Sequence, residues 1–208
     1  ERFSSFNHKI IHIVVDEHPE FKNKKDAVGD VWEYEVYQRN QIIKGLEKAD
    51  DNDVVMISDV DEIPNPLFFL KVLNEKGIKV LSFPTFYYYL NNLTSEENTH
   101  TRIFHKHHLK DNPVQVLRVS GDKVYSKYTG WHFSFLGGEE KIKNKIDSFS
   151  HQQYNNDNVF NDISKNIEKG NDIFSRDIKM KVVDLNFQFP KYIVLNQDKY
   201  KHLIKDKK

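Results

Sequence analysis

The 208-residue chain contains no cysteine. That excludes disulfides and thiolate metal sites, and it fits a reducing compartment. Excess charge is also missing, because lysine plus arginine and aspartate plus glutamate each total 31. No overall field draws the protein to nucleic acid or to an anionic membrane, so no nucleic-acid partner is expected. Long apolar runs are absent as well. None approaches the roughly 20 residues of a membrane span, and no signal peptide is visible, so no integral membrane segment is expected in this chain. The expected location is cytoplasmic, with peripheral membrane attachment left open, or the secretory pathway if an anchor precedes Glu1.

What is present is a soluble, globular balance of 38% hydrophobic and 30% charged residues, with 15 Phe and 10 Tyr to fill an interior. The length suits one sizeable core, and residues 1–208 are read as a single catalytic domain. KIIHIVV (9–15) has the β-branched composition of a buried strand. Residues 27–46 repeat their apolar positions at helical spacing, and VVMIS (54–58) is a second strand. That order predicts a parallel sheet with helices on its faces, an α/β fold.

Further along, LFFLKVLNEKG predicts a short helix closed by Gly77, and KVLSFPTFYYYL one or two strands. THTRIFH (99–105) and VQVLRV (114–119) read as strands of a meander, with Gly121-Asp122 as a turn. Residues 138–149 read as a helix with Ile142, Ile146 and Phe149 on its buried face. The tail from Asn155 to Asp177 reads as an irregular lobe containing helix. Two histidines of HKHH (105–108) share a strand face in this reading, without a third ligand nearby for zinc.

The chemistry concentrates in DVVMISDVDEIPNP (53–66). An apolar strand that ends in Asp59, Asp61 and Glu62 offers clustered carboxylates where open α/β sheets bind ligands. A hard divalent cation, Mn²⁺ or Mg²⁺, takes oxygen ligands and keeps positions open for phosphate. The plainer alternative is a solvated acidic loop with N-capping aspartates. The same strand and Asp-x-Asp also fit a haloacid-dehalogenase-type phosphatase, with Asp59 as nucleophile and Asp61 as acid. However, no acidic pair follows a later apolar strand.

Three stretches in order carry a more specific likeness. YQRNQIIKGLEKADDNDVVMISDVDEIPNP, GWHFSFLGGEEKIKNK (130–145) and FPKYIVLN (189–196) resemble glycosyltransferase family 17, the relatives of the enzyme that adds the bisecting N-acetylglucosamine to N-glycans. The resemblance covers about residues 30–200. It implies a glycosyltransferase A fold, a Rossmann-like mixed sheet flanked by helices, whose opening strand has no counterpart before Glu1. It also implies a UDP-sugar donor, UDP-N-acetylglucosamine in the characterised relatives, an oligosaccharide or glycoconjugate acceptor, a divalent metal and inversion at the anomeric carbon. A carbohydrate-binding or scaffold domain that keeps this fold without catalysis is the non-enzymatic alternative.

By that resemblance Asp59 and Asp61 form the metal–diphosphate motif. Glu62 either positions ribose or sugar, or caps the next turn. LGGEEKI also resembles the Gly-Gly-Glu-Asp turn of other transferases of this fold, which makes Glu140 the base and Glu139 an acceptor contact. Glutamates in a helix's first turn have an ordinary explanation too. His132 or His151 completes the metal site, or each is a packed core histidine. Trp131 stacks on a sugar face or fills the core. Arg39 and Lys145 touch diphosphate or form helix-face salt bridges. Asn92-Leu93-Thr94 matches a glycosylation acceptor.

Overall fold

The computed structural model describes residues 3–17, 27–186 and 188–207. A 3-10 segment at Ser4–Lys9 leads into a stretch, 10–17, that has no regular secondary structure and joins no sheet. The strand expected at 9–15 is therefore not formed, and Ile10, Ile11 and Val14 stay exposed. Apolar, β-branched composition makes a strand only where a neighbour supplies ladder partners and a face to pack on. Helix α1 (Ala27–Asn40) continues as a 3-10 segment, Gln41–Leu46, so the expected helix is present with its last turns wound tighter.

The chain then runs β1 (Val54–Ile57), β2 (Glu62–Pro64), α2 (Pro66–Val72), β3 (Lys79–Tyr87) and β4 (Asn92–His105). Helix α2 starts where Asn65 Oδ1 accepts the Leu67 amide at 3.1 Å and Pro66 presets the first turn. There follow α3 (Val114–Val119), β5 (Lys123–Tyr125), β6 (Gly130–Ser134) and α4 (Glu139–Ser148). The last elements are α5 (Asp157–Lys169), β7 (Met180–Val182) and α6 (Lys191–Leu195). Among the described residues no helix is long and apolar enough to cross a membrane.

One mixed sheet runs β1-β4-β3-β6-β2, with β5 beside β3 and β7 beside β4. The sheet is mixed, as the family resemblance implies, but the parallel pairing expected from the strand–helix–strand order does not occur at β1. β1 lies antiparallel to β4, with Val54 opposite His105 and Ile57 opposite Arg102. Among the described residues only β3–β5 and β3–β6 are parallel. The strand–helix–strand order predicts a parallel neighbour only if the first strand forms, and here β1 takes its register from β4 instead. Register shifts between Leu81 and Phe83 and between Pro84 and Phe86 bend the β3–β4 hairpin, and the sheet curls.

Residues 114–119, expected as a strand, form helix α3. Pro113 sets φ at −59° before the first turn, and Val114, Leu117 and Arg118 are buried at helical spacing while Val116 and Val119 face solvent. The histidines of HKHH do not share a strand face either. His105 ends β4, while His107 and His108 lie in the 3-10 segment Lys106–Lys110 with ring centroids 4.3 Å apart.

Both faces of the sheet are covered. Val55, Ile57 and Phe104 pack against Leu117 of α3, and Tyr87, Tyr88 and Phe135 pack against Ile142 and Ile146 of α4 and Ile163 of α5. Each of these isoleucines is fully buried, a contribution of about 1.5–3 kcal/mol apiece. The helix expected at 138–149 is thereby confirmed with its predicted face. Asn92, of the glycosylation-like triplet, is buried and donates to Tyr87 O at 3.1 Å, so it serves the fold.

Candidate active site

β1 ends in a turn at 58–61 that carries the acids beyond the sheet. Glu62, opposite His132 in the β2–β6 ladder, closes this turn from below. Its buried Oε2 accepts the Asp59 amide at 2.8 Å, the Thr101 hydroxyl at 2.8 Å and the Ser58 hydroxyl at 3.2 Å. The Glu62 amide in turn donates to Asp59 O at 3.0 Å. Sequence allowed Glu62 to position ribose or sugar or to cap the next turn; its carboxylate instead closes the turn before it, and Asn65 caps the helix that follows. Its Oε1 is buried with no hydrogen-bond partner among the described residues, and His100 Nδ1 lies 4.0 Å away.

The turn sends the two aspartates to different cations. Asp59 pairs with Arg118 of α3, whose guanidinium is buried and also sits 4.0 Å from Glu62 Oε2. Asp61 receives Lys145 of α4, Nζ to Oδ2 2.7 Å, and faces His132 Nε2 at 3.4 Å and Ser134 Oγ at 3.4 Å. Lys145 also donates to Ser134 Oγ at 2.7 Å. Burial would raise the Asp61 carboxyl, but His132 and Lys145 outweigh it and hold the group well below the usual carboxylate range. Asp61 is therefore ionised at any physiological pH. The remaining oxygen of each aspartate, Oδ1, accepts no hydrogen bond among the described residues.

His132 and Ser134 reach Asp61 because they alternate along β6 with Trp131 and Phe133. Trp131 accordingly points to the opposite face, where it packs with Phe86 and Phe189 and donates Nε1 to Gln188 O at 2.9 Å. The aromatic platform expected from Trp131 is thus not on the aspartates' side of the sheet. His151 lies elsewhere too, edge-on to Trp32 with centroids 4.9 Å apart, and it makes no hydrogen bond or ion pair with either aspartate. Of the two histidines, His132 is the one beside Asp61.

Arg39 lines a cavity of about 490 Å³ together with Asp59, Glu35, Gln38 and residues 12–15. Its guanidinium is engaged by Glu35 at 2.6 Å and Gln115 Oε1 at 2.6 Å. Burial pushes Glu35 up, yet hydrogen bonds from Ser150 and Arg39 prevail and keep it below the ordinary glutamate value. The cleft continues past Glu35 to Asp147, Phe149 and Gln152 at the end of α4.

Helix α4 is launched by Gly137 and Gly138, at φ +94° and +85°, a backbone that a side chain would strain. Glu139 in its first turn is bonded to Lys143 at 2.6 Å and to Ser164, which lower its carboxyl, while Glu140 is exposed. Glu140 and Lys145 are five positions apart, so the two project roughly 140° apart around the helix.

Sequence reasoning missed Arg118 and Ser134. The first was hidden by reading 114–119 as a strand, although Val114, Leu117 and Arg118 carry the i, i+3, i+4 signal. The second could have been found from its alternation with His132.

Among the described residues no three His, Cys, Asp or Glu side chains stand grouped for a metal. Two carboxylates from one turn, each with an oxygen that accepts no hydrogen bond among the described residues, nevertheless have the donor chemistry of a hard divalent ion whose other ligands come from phosphate and water. Compared with known protein families, residues 1–207 match Glycosyltransferase family 17. No curated protein and no solved structure matches the chain. A match over nearly the whole length, added to an acid-bearing turn at a strand end, places the chain among the transferases: it belongs to glycosyltransferase family 17.

Proposed function

We propose that this is a metal-dependent, inverting glycosyltransferase of glycosyltransferase A type, which moves N-acetylglucosamine or a related sugar from its UDP donor to a glycan hydroxyl. The observation that carries the reading is the turn at 58–61: Asp61 is held ionised between Lys145, His132 and Ser134, and Asp59 opens onto the cleft that Arg39 lines.

Asp61, with Asp59 from the same turn and His132 beside it, would hold a divalent cation through hard oxygen and imidazole donors. When bound, that cation neutralises the charge that builds on the departing diphosphate. The protein's own groups do the rest. Glu62 and Arg118 keep the turn in shape from beneath, and Lys145 and Arg39 offer cationic donors to phosphate oxygens.

In the transfer step the acceptor hydroxyl oxygen bonds to the anomeric carbon as the bond from that carbon to the UDP oxygen breaks. The electron pair leaves on the diphosphate, and the hydroxyl proton passes to Glu140. Base and leaving group must lie on opposite sides of the anomeric carbon, and Glu140 and Lys145 project to different sides of α4. Gly138, with nothing within 4 Å of where a side chain would start, leaves room for a sugar to approach the backbone.

The test is release of UDP from a panel of UDP-sugars with Mn²⁺ or with EDTA. Mn²⁺-dependent turnover, highest with UDP-N-acetylglucosamine and accelerated by a glycan acceptor, is expected. Hydrolysis of simple phosphate esters that is lost in Asp59→Asn, with no UDP released, would establish a phosphatase instead.

A further inference from the structure

The two aspartates of the turn are neutralised in physically different ways. Arg118 is 6% exposed, bonds Asp59, reaches His100 O at 3.4 Å and lies beside Glu62. It is tied into the fold on several sides and cannot leave. Lys145 is different. Its side chain is 36% exposed, and its bonds to Asp61 Oδ2 and Ser134 Oγ come from the end of a four-carbon stem. The Phe135 ring lies 4.9 Å beneath the ammonium, a surface over which the charge can shift while staying close.

A divalent cation approaching Asp61 meets this ammonium already on the carboxylate, and like charges at such range repel. The other groups facing Asp61 are the Ser134 hydroxyl, which carries no charge, and His132, whose imidazole is itself a donor type for divalent metals. The obstacle is therefore Lys145.

We propose that Lys145 is an internal counter-ion of Asp61 that a divalent cation must displace, and that a nucleotide diphosphate takes up the released ammonium, so that cation and diphosphate bind cooperatively. This deepens, and rests on, the reading of the turn as the metal–diphosphate site. In the free protein Lys145 weakens cation binding and keeps Asp61 neutralised. With diphosphate present the same ammonium gains phosphate oxygens in exchange for the carboxylate oxygen it gives up. By linkage, each ligand then tightens the other by the same factor.

The experiment is a Mn²⁺ titration followed by electron paramagnetic resonance of the free ion. It compares wild type with Lys145→Met, which keeps an apolar stem over Phe135, each alone, with UDP and with uridine. Lys145→Gln serves in parallel, and near-ultraviolet circular dichroism checks the fold of both variants. Both should bind Mn²⁺ alone at least about fivefold more tightly than wild type, and the tightening produced by UDP should shrink by a similar factor. Uridine, which has no phosphate, should tighten nothing. Mn²⁺ affinity that is unchanged or weaker in both variants overturns the displacement while leaving the metal reading intact. Absence of Mn²⁺ binding by every protein, even with UDP, overturns both.

Discussion

Lys145 Nζ stands 2.7 Å from Asp61 Oδ2, so the helix that follows β6 is tied to the turn that follows β1, 84 residues earlier in the chain. This ion pair brings α4 and the acid-bearing turn into one site, and it has a consequence for acid stability. The folded-state carboxyl of Asp61 lies below its unfolded value, so its contribution is present above the ordinary aspartate range near 4 and is lost as pH falls through that range and below. Urea midpoints measured from pH 6 down to pH 2.5 should fall less steeply for Asp61→Asn than for wild type. Parallel curves would mean that the pair contributes nothing.

Arg118 supports the same turn from beneath. Arg118→Met removes the partner of Asp59 and the nearest cation to a buried Glu62, and should cost about 2–4 kcal/mol in chemical denaturation. Arg118→Lys should recover part of this, because the charge returns without the planar fork. A loss under about 0.5 kcal/mol for the methionine variant would show that the contact is only a surface pair.

The burial pattern of α3 separates neighbouring residues. Leu117→Ala should lose about 2–4 kcal/mol and Val119→Ala less than about 1 kcal/mol, since Leu117 is 1% exposed and Val119 69%. Comparable losses at both positions would fit a strand, in which residues 117 and 119 share one face, not this helix.

Glu140 is tested by separating binding from chemistry. Glu140→Gln should cut transfer by about 100-fold or more while UDP affinity stays within a factor of about two. If both fall together, the base lies elsewhere and Glu140 is an ordinary first-turn glutamate.

Local chemistry was readable in the sequence; pairing was not. The VVMIS strand and the 142/146/149 face of α4 were legible because an apolar run ending in acids and a 3.6-residue period are both local signals. The direction of β1 was not, since its partner β4 lies about fifty residues downstream and nothing in the run itself names that neighbour. VQVLRV satisfies a strand by its valines and a helix by its spacing, and Pro113 together with packing under β1 decides for the helix. Asp59, Asp61 and His132 were legible as a candidate site. The cations that hold the aspartates were only half so: Lys145 was named for a different contact, and Arg118 not at all.

The central claim is that the turn at 58–61 binds a diphosphate through a divalent cation held by Asp61. Calorimetric titration of UDP into wild type and Asp61→Asn, each with Mn²⁺ and with EDTA, tests it most directly. The account predicts UDP binding by wild type that needs Mn²⁺ and is lost in the folded Asp61→Asn variant. Equal UDP binding in EDTA, or an Asp61→Asn variant that binds as wild type does, would contradict it.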